Sequence, residues 1–193
     1  MKIVIQALKL FLLLTAITGI IYPLVITALG QIAFPNKANG SLVRKDGRIV
    51  GSSLLAQKFA SEKYFWPRPS AVDYNPLPSG GSNQGMISAL LDSTVKERRK
   101  FLIEADPRSA NVPPDLLFAS GSGLDPHVSP EAALYQVDRI ARARQLDNEQ
   151  RKSLTNLVQN QIEQPMFGIL GQPRVNVLEL NLALDLAPIG NGP

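Results

Sequence analysis

Residues 10–36 carry no charge, and most of this stretch is apolar. A bilayer core of about 30 Å is crossed by roughly 20 helical residues, so the run is long enough to span a membrane with some tilt. A secretory signal peptide is the alternative, because Ala-Leu-Gly at 28–30 resembles a cleavage site, but signal cores extend over only about 7 to 15 residues. The sequence therefore predicts a short basic tail and transmembrane anchor over residues 1–34 and one soluble domain over residues 35–193.

Small or weakly polar residues recur at every fourth position of the apolar run, at Thr15, Gly19, Pro23 and Thr27. On a helix they lie along one slowly drifting face. Small side chains allow helices to approach closely in lipid, and Pro23 cannot donate a hydrogen bond to the carbonyl of Gly19. We expect this face to contact partner helices, although spanning helices also tolerate these residue types without any partner.

The charge is only mildly basic, with 20 Lys and Arg residues against 16 Asp and Glu and a net charge of +4. Such a balance does not indicate a nucleic-acid-binding protein. The absence of cysteine excludes disulfides and a thiolate metal site. Basic residues flank the apolar run on both sides, but a short basic tail before the first apolar segment usually stays in the cytoplasm. We therefore expect a single-pass protein with a cytoplasmic N-terminus and an extracytoplasmic domain.

The soluble part predicts an α+β fold, a mixed α/β domain with long ordered loops rich in Gly and Pro. Asp46 and Gly47 separate two short apolar runs and predict a β-hairpin. Residues 66–85 and 119–129 contain too much Gly and Pro for a regular element. The aromatic residues in and before the first of these loops indicate that it is pinned to the core rather than flexible.

Helical periodicity predicts helices over residues 84–105 and 130–145. Ser129 is the expected N-cap of the second helix. Asp147, with Gln three residues later, forms a predicted capping box for a further helix. The tail is ambiguous, because leucines alternate from 178 to 186 as in a strand, yet helix-forming residues follow a potential cap at Asn176; we favour a helix.

Catalytic motifs are largely missing. The chain has no Gly-rich phosphate-binding loop, and no Asp is followed by Lys as in the phosphorylated motif of transport ATPases. His127 is the only histidine, so a multi-histidine metal site is excluded and no metal is expected. His127 and Asp125 are more simply explained as turn residues. A short segment could form an anion-binding nest or an ordinary turn, namely Ser79, Gly80, Gly81, Ser82 and Asn83.

Two functions from other classes remain open at this stage. One is a membrane-anchored extracytoplasmic hydrolase that uses Ser122 or Ser129 with His127, although triad members normally come from separate segments. The other is a membrane-anchored ligand-binding module.

The loops carry a more specific pattern. The signature positions are Arg68, Pro69, Ser122, Asp125, His127, Arg174, Asn176 and Asn181, within Arg-Pro-Ser-Ala at 68–71, Ser-Gly-Gly-Ser-Asn at 79–83, Ala-Ser-Gly-Ser-Gly-Leu-Asp-Pro-His at 119–127 and Pro-Arg-Val-Asn-Val at 173–177. In this order they strongly resemble the C subunit of the Kdp-type potassium-transporting ATPase of bacteria and archaea, and the resemblance covers nearly the whole chain.

The resemblance implies a non-catalytic subunit of an ATP-driven, high-affinity potassium uptake pump in the cell membrane. Its partners would be a channel-like potassium-binding subunit, a P-type ATPase subunit and a small membrane subunit, besides the lipid bilayer. The subunit would stabilise the complex and act as a catalytic chaperone that raises the ATP affinity of the hydrolytic subunit. It would have no cofactor of its own, since ATP and potassium are handled by the complex. Because ATP is cytoplasmic, direct nucleotide contact conflicts with the expected orientation.

Overall fold

The computed structural model describes residues 1–107 and 111–189. Contacts between Cα atoms divide the chain into two units, Met1–Ser52 and Ser53–Pro193. Residues 108–110 and 190–193, which belong to the domain expected over 35–193, lie outside the described residues. The described part combines helices with short strands and one long apolar N-terminal helix, which confirms the α+β fold class.

The first unit begins with a continuous helical stretch, Lys2–Ala33, which is long and apolar enough to cross a membrane and has no buried residue in its most apolar window. It consists of α1 (Lys2–Ala16), a π-helical turn (Ile17–Ile21) and α2 (Tyr22–Ala33). The Tyr22 N–H donates to the Ile17 carbonyl, five residues back. The π turn ends two residues before Pro23, which has no N–H for the α-helical bond to Gly19.

A short helix and a β-hairpin complete this unit. Helix α3 (Pro35–Ala38) precedes the antiparallel strands β1 (Leu42–Lys45) and β2 (Arg48–Ser52). Asp46 and Gly47 both have positive φ angles, 51° and 75°, as a tight hairpin turn requires. The predicted hairpin is therefore confirmed.

The second unit contains helices around a small antiparallel sheet. Its helices are α4 (Ala89–Ala105), a 3₁₀ turn (Pro114–Leu116), α5 (Pro130–Tyr135), α6 (Val137–Ala143), α7 (Asn148–Asn160) and α8 (Val177–Leu186). Its strands are β3 (His127–Val128), β4 (Ile162–Glu163) and β5 (Arg174–Asn176), in the spatial order β3-β5-β4.

Side-chain caps define where these helices begin. Ser129 accepts a hydrogen bond from the Ala132 N–H, and Asp147 forms the predicted reciprocal capping box. The Asn176 side chain accepts the Glu179 N–H, so the C-terminal segment is the favoured helix and not a strand. Helix α4 starts only at Ala89, capped by Ser88, instead of at residue 84.

The single helix predicted over residues 130–145 is wrong in one respect, because the structure divides it at Gln136 into α5 and α6. At this position the Gln136 N–H bonds to Ala133, three residues back, in a tighter turn than the α-helix. The turn places the Gln136 side chain in the interior, where it is 1% exposed.

The hydrophobic core lies between the helices, the sheet and the aromatic segment that precedes the first Gly/Pro-rich loop. Its largest fully buried apolar side chains are Phe65, Ile140, Leu154, Val158, Val175, Val177, Leu180 and Leu184. They come from that segment, β5 and the helices α6, α7 and α8, which fixes the loops that leave this core.

Candidate functional site

The aromatic segment Tyr64–Trp66 is held by side-chain amides instead of a neighbouring strand. Asn181 accepts the Phe65 N–H at 2.8 Å and donates to the Phe65 carbonyl at 3.0 Å. Gln136 likewise accepts the Trp66 N–H at 2.7 Å and donates to the Trp66 carbonyl at 3.1 Å. Each amide therefore satisfies both polar groups of one buried peptide residue, as a strand partner would.

The two amides and the segment Tyr64–Trp66 are here called the amide framework, and Arg139, on α6, completes it. Its guanidinium donates to the carbonyls of Glu62 and Tyr64 and to the Gln136 Oε1. It also lies 3.6 Å from the centroid of the Trp66 ring, an arrangement that favours a cation. Burial lowers the pKa of Arg139 to about 10, so the group remains charged at neutral pH.

The signature loops meet beside this framework in a cluster of ionic side chains, here called the charged cluster. The Arg68 guanidinium lies 3.1 Å from Asp125 and 3.9 Å from Asp115. The His127 imidazole lies 3.5 Å from Asp125 and 3.9 Å from Glu163. Arg174 pairs with Glu163 at 2.9 Å, which ties β5 to β4.

The charged cluster borders a cavity of about 340 Å³ lined by Arg68, Asp115, Asp125, His127 and Arg174, among others. Burial alone would raise the pKa of Asp125, but hydrogen bonds from the His127 side chain and backbone, together with the Arg68 charge, hold the pKa below its usual value. The carboxylate is therefore ionised at neutral pH and joins two loops with β3. This geometry makes the cluster a rigid clamp between segments distant in sequence.

The geometry does not support the hydrolase alternative. The Ser122 Oγ accepts the Leu124 N–H, and the Ser129 Oγ accepts the Ala132 N–H as the cap of α5. The His127 imidazole lies against carboxylates, and its backbone N–H donates to Asp125 at 3.0 Å. Within residues 1–107 and 111–189, no hydrogen bond joins either serine to His127.

The segment from Ser79 to Asn83 runs beside a polar cavity of about 550 Å³. Gly81 and Ser82 line this cavity together with Arg98, whereas Gly80 donates its N–H to the Ser122 carbonyl at 3.0 Å. Ser79 and Asn83 do not line it. Arg98 donates to the Leu117 carbonyl, and burial lowers its pKa.

The remaining signature residues have structural contacts. The Pro69 carbonyl accepts the Ser120 N–H at 3.1 Å, which links the two Gly/Pro-rich loops. Asn176 both caps α8 and donates to the Ser53 carbonyl at 2.8 Å. Thr15, Gly19, Pro23 and Thr27 lie in the first unit, along the apolar helix. Within the part of the chain that the structure describes, no group of three or more His, Asp or Glu side chains is placed to hold a metal ion.

Sequence reasoning assigned no structural role to the residues that complete these two arrangements. Gln136 and Arg139 lie within the single helix predicted over residues 130–145, and only their partners 70 or more residues away reveal their role. Asp115 and Glu163 carried no local signal either, although they pair with Arg68 and Arg174. No spacing rule connects residues from separate loops.

An exposed apolar helix long enough to span a membrane, followed by a folded domain, fits the class of single-pass membrane proteins. Comparison with known proteins specifies the class further. Residues 4–186 match the family model described as K⁺-transporting ATPase, c chain. The chain therefore belongs to the KdpC family.

Curated relatives cover nearly the full length. A protein of Leptospira interrogans named Potassium-transporting ATPase KdpC subunit is 49% identical over 96% of this chain and 94% of its own length. Proteins of the same name from Methylococcus capsulatus and Sorangium cellulosum are 51% and 53% identical, each over 93% of this chain and 95% of their own length. The chain is thus an accessory subunit of a potassium-transporting ATPase and not its catalytic component.

Proposed function

We propose that this chain stabilises the assembled potassium pump as a single-pass subunit, with its N-terminus in the cytoplasm and its folded domain outside. It holds together the channel-like potassium-binding subunit, the P-type ATPase subunit and the small membrane subunit. The observation that carries the proposal is the helical stretch Lys2–Ala33, which is apolar and exposed along its length. Such a surface requires lipid or partner helices around it.

The π turn supports a partner-facing stripe on this helix. In a regular α-helix, the twelve steps from Thr15 to Thr27 make three full turns plus about 120°, so the two side chains would point in different directions. The π turn at Ile17–Ile21 accommodates about one additional residue in that span, which reduces the rotation to about 20°. Thr15, Gly19, Pro23 and Thr27 therefore follow one narrow line, along which a neighbouring helix can approach closely.

A paired substitution tests the stripe. Gly19→Leu places a large side chain where the structure has no atom within 4 Å of a Cβ, so the isolated helix tolerates it while a packed partner does not. We expect recovery of the intact complex after mild detergent extraction to fall several-fold. Ala28→Leu, outside the stripe on the same helix, is the matched control and should leave recovery unchanged. Equal recovery for both variants would remove the stripe from the proposal.

The effect on ATP affinity is proposed to be indirect, through stabilisation of the complex from the outer face. A direct route would use the polar cavity beside Gly81, Ser82 and Arg98, where an anion would meet a cation and backbone amides. That route requires the cavity to face the cytoplasm, where ATP is found. The orientation of the chain therefore decides between the two routes.

The absence of cysteine allows a direct measurement of orientation. A single Ser82→Cys variant in the assembled complex is treated with a membrane-impermeant maleimide in right-side-out and inverted vesicles. We expect Ser82→Cys to be labelled only in right-side-out vesicles. Lys2→Cys, at the N-terminal end of the apolar helix, should show the reverse pattern. Ser82→Cys labelling in inverted vesicles would overturn the outer-face proposal and favour direct nucleotide contact.

A further inference from the structure

The chain between β4 and β5 forms a hairpin whose tip is apolar and exposed. Residues 164–173 connect the strands, and Met166 and Leu170 face each other across an antiparallel bridge. The tip side chains are between 58% and 86% exposed, namely Met166, Phe167, Ile169 and Leu170. Large apolar side chains clustered in this way on a protruding turn commonly mark an interaction surface.

The backbone of this hairpin tip is already hydrogen-bonded within itself. Met166 and Leu170 exchange two hydrogen bonds, each 3.0 Å long. The Gly168 N–H donates to the Pro165 carbonyl at 2.9 Å, and the Ile169 N–H donates to the Met166 carbonyl at 3.3 Å. Transfer of the tip into an apolar environment therefore exposes few amide groups to a loss of hydrogen bonds.

The charges around the tip select the kind of environment. No charged residue occurs between Glu163 and Arg174, and these two side chains pair with each other at 2.9 Å. The residues next to the tip on either side are neutral, including Gln164 and Gln172. Segments that insert into anionic lipid surfaces carry Lys or Arg that are free to meet the lipid charge, whereas Arg174 at the base of this hairpin is paired with Glu163. Charge complementarity thus favours an uncharged apolar pocket on a protein.

The shape of the tip is preorganised. Phe167 and Gly168 both have positive φ angles, 56° and 76°, which define a tight turn. At its base, Val175 pairs with Ile162 and is fully buried in the core. A rigid projection loses little conformational entropy on docking, and an aromatic anchor in a pocket is typical of the residues that dominate binding energy.

We infer that this hairpin tip docks into a concave, uncharged apolar pocket of another protein subunit of the same pump, with Phe167 as the anchor. The inference rests on the proposed function, since it requires a partner in the assembled complex. It adds a contact in the folded domain that is separate from the apolar helix.

Photo-crosslinking identifies the molecule that the hairpin tip contacts. p-Benzoylphenylalanine is incorporated in place of Phe167 in the full chain, and the assembled complex is irradiated in its membrane. The expected result is one covalent adduct with a single protein subunit of the complex. Incorporation in place of Leu186, which is 81% exposed at the end of α8, is the matched control and should give several-fold less of that adduct. Adducts with lipid or with a second copy of this chain, or no protein adduct, would overturn the inference.

Substitution separates this inference from the proposed function. Phe167→Ser and Ile169→Ser should each lower recovery of the intact complex several-fold, while Leu186→Ser leaves it unchanged. If both tip variants assemble as well as the unsubstituted chain, the docking inference is wrong and the stabilising role stands. If the unsubstituted chain itself fails to purify with the other subunits, the stabilising role fails as well.

Discussion

The side-chain amide of Asn181 offers a sharp test of how the domain is held together. Asn181→Leu keeps a buried side chain of similar reach but removes both hydrogen bonds to Phe65. A buried peptide group left without a partner costs about 1 to 3 kcal/mol, so two such groups cost about 2 to 6 kcal/mol. A single domain has a free energy of unfolding of only about 5 to 15 kcal/mol. The substitution should therefore remove a large share of the stability.

Trp66 is the only tryptophan and follows Phe65 directly, which makes its fluorescence a built-in probe of this region. Denaturant titration of the full chain in detergent, followed by that emission, gives the free energy of unfolding. Asn156→Leu, on the exposed face of α7, is the matched control and should change it by less than about 0.5 kcal/mol. A loss below about 1 kcal/mol for Asn181→Leu would refute the view that the amide replaces a strand partner.

Asn181→Asp adds a pH signature to the same test. The new carboxyl retains an acceptor for the Phe65 N–H but, when ionised, has no donor for the Phe65 carbonyl. Burial raises its pKa in the folded state above the value of about 3.9 in the unfolded chain. The protonated form then supplies the missing donor, so this variant is most stable at acidic pH and loses stability as the pH rises through the folded-state pKa. A variant equally stable at pH 5 and pH 8 would contradict this reasoning.

Three further outcomes follow from the described geometry. Gly123→Ala should lower the free energy of unfolding by at least about 1 to 3 kcal/mol, because φ at this position is +70°. The new Cβ would also lie 2.7 Å from a side-chain carbon and 2.9 Å from a carbonyl oxygen. Gly121→Ala, where a Cβ would meet no atom within 4 Å, is the control and should cost much less. The pKa of Asp125 is lowered in the folded state, so the ionised carboxylate stabilises the fold above the unfolded pKa of about 3.9, and this stabilisation is lost as the pH falls through the folded pKa. In Asp125→Asn, the free energy of unfolding should therefore fall less steeply at acidic pH. An equally steep fall in this variant would contradict the argument. Arg139→Lys should cost about 2 to 4 kcal/mol and shift the Trp66 emission, since one ammonium cannot reach three acceptors and cover the ring. An unshifted spectrum with unchanged stability would count against the role of Arg139 in the amide framework.

Local signals in the sequence predicted much of the helical structure. The caps at Ser129, Asp147 and Asn176 each place a side-chain oxygen where an orphan N–H needs an acceptor, so they depend on a neighbour only three residues away. The hairpin turn at Asp46 and Gly47 is equally local. Each of these features was confirmed because its physical cause lies within one turn of chain.

The small sheet and the charged cluster could not be predicted from local signals in the sequence. Strands β3 and β4 have two residues each, too short for any alternating pattern to show. Arg68 and Asp125 were named from the family resemblance, but their pairing across 57 residues depends on how the loops leave the core. The turn at Gln136 was missed for a related reason, since the side chain is drawn inward by a peptide group 70 residues earlier in the chain.

The amide framework also limits when its hydrogen bonds can form during synthesis of the chain. Phe65 and Trp66 obtain their hydrogen-bond partners from residues 116 and 70 positions further along. During synthesis, Trp66 can form its pair only after residue 136 has been made, and Phe65 can form its pair only after α8 has been made. Contacts of such long sequence separation slow folding, because a long loop must close before any of them is formed. A newly made chain that stops short of Asn181 lacks the amide that pairs with the backbone of Phe65, which makes the C-terminal helix the element that completes the domain.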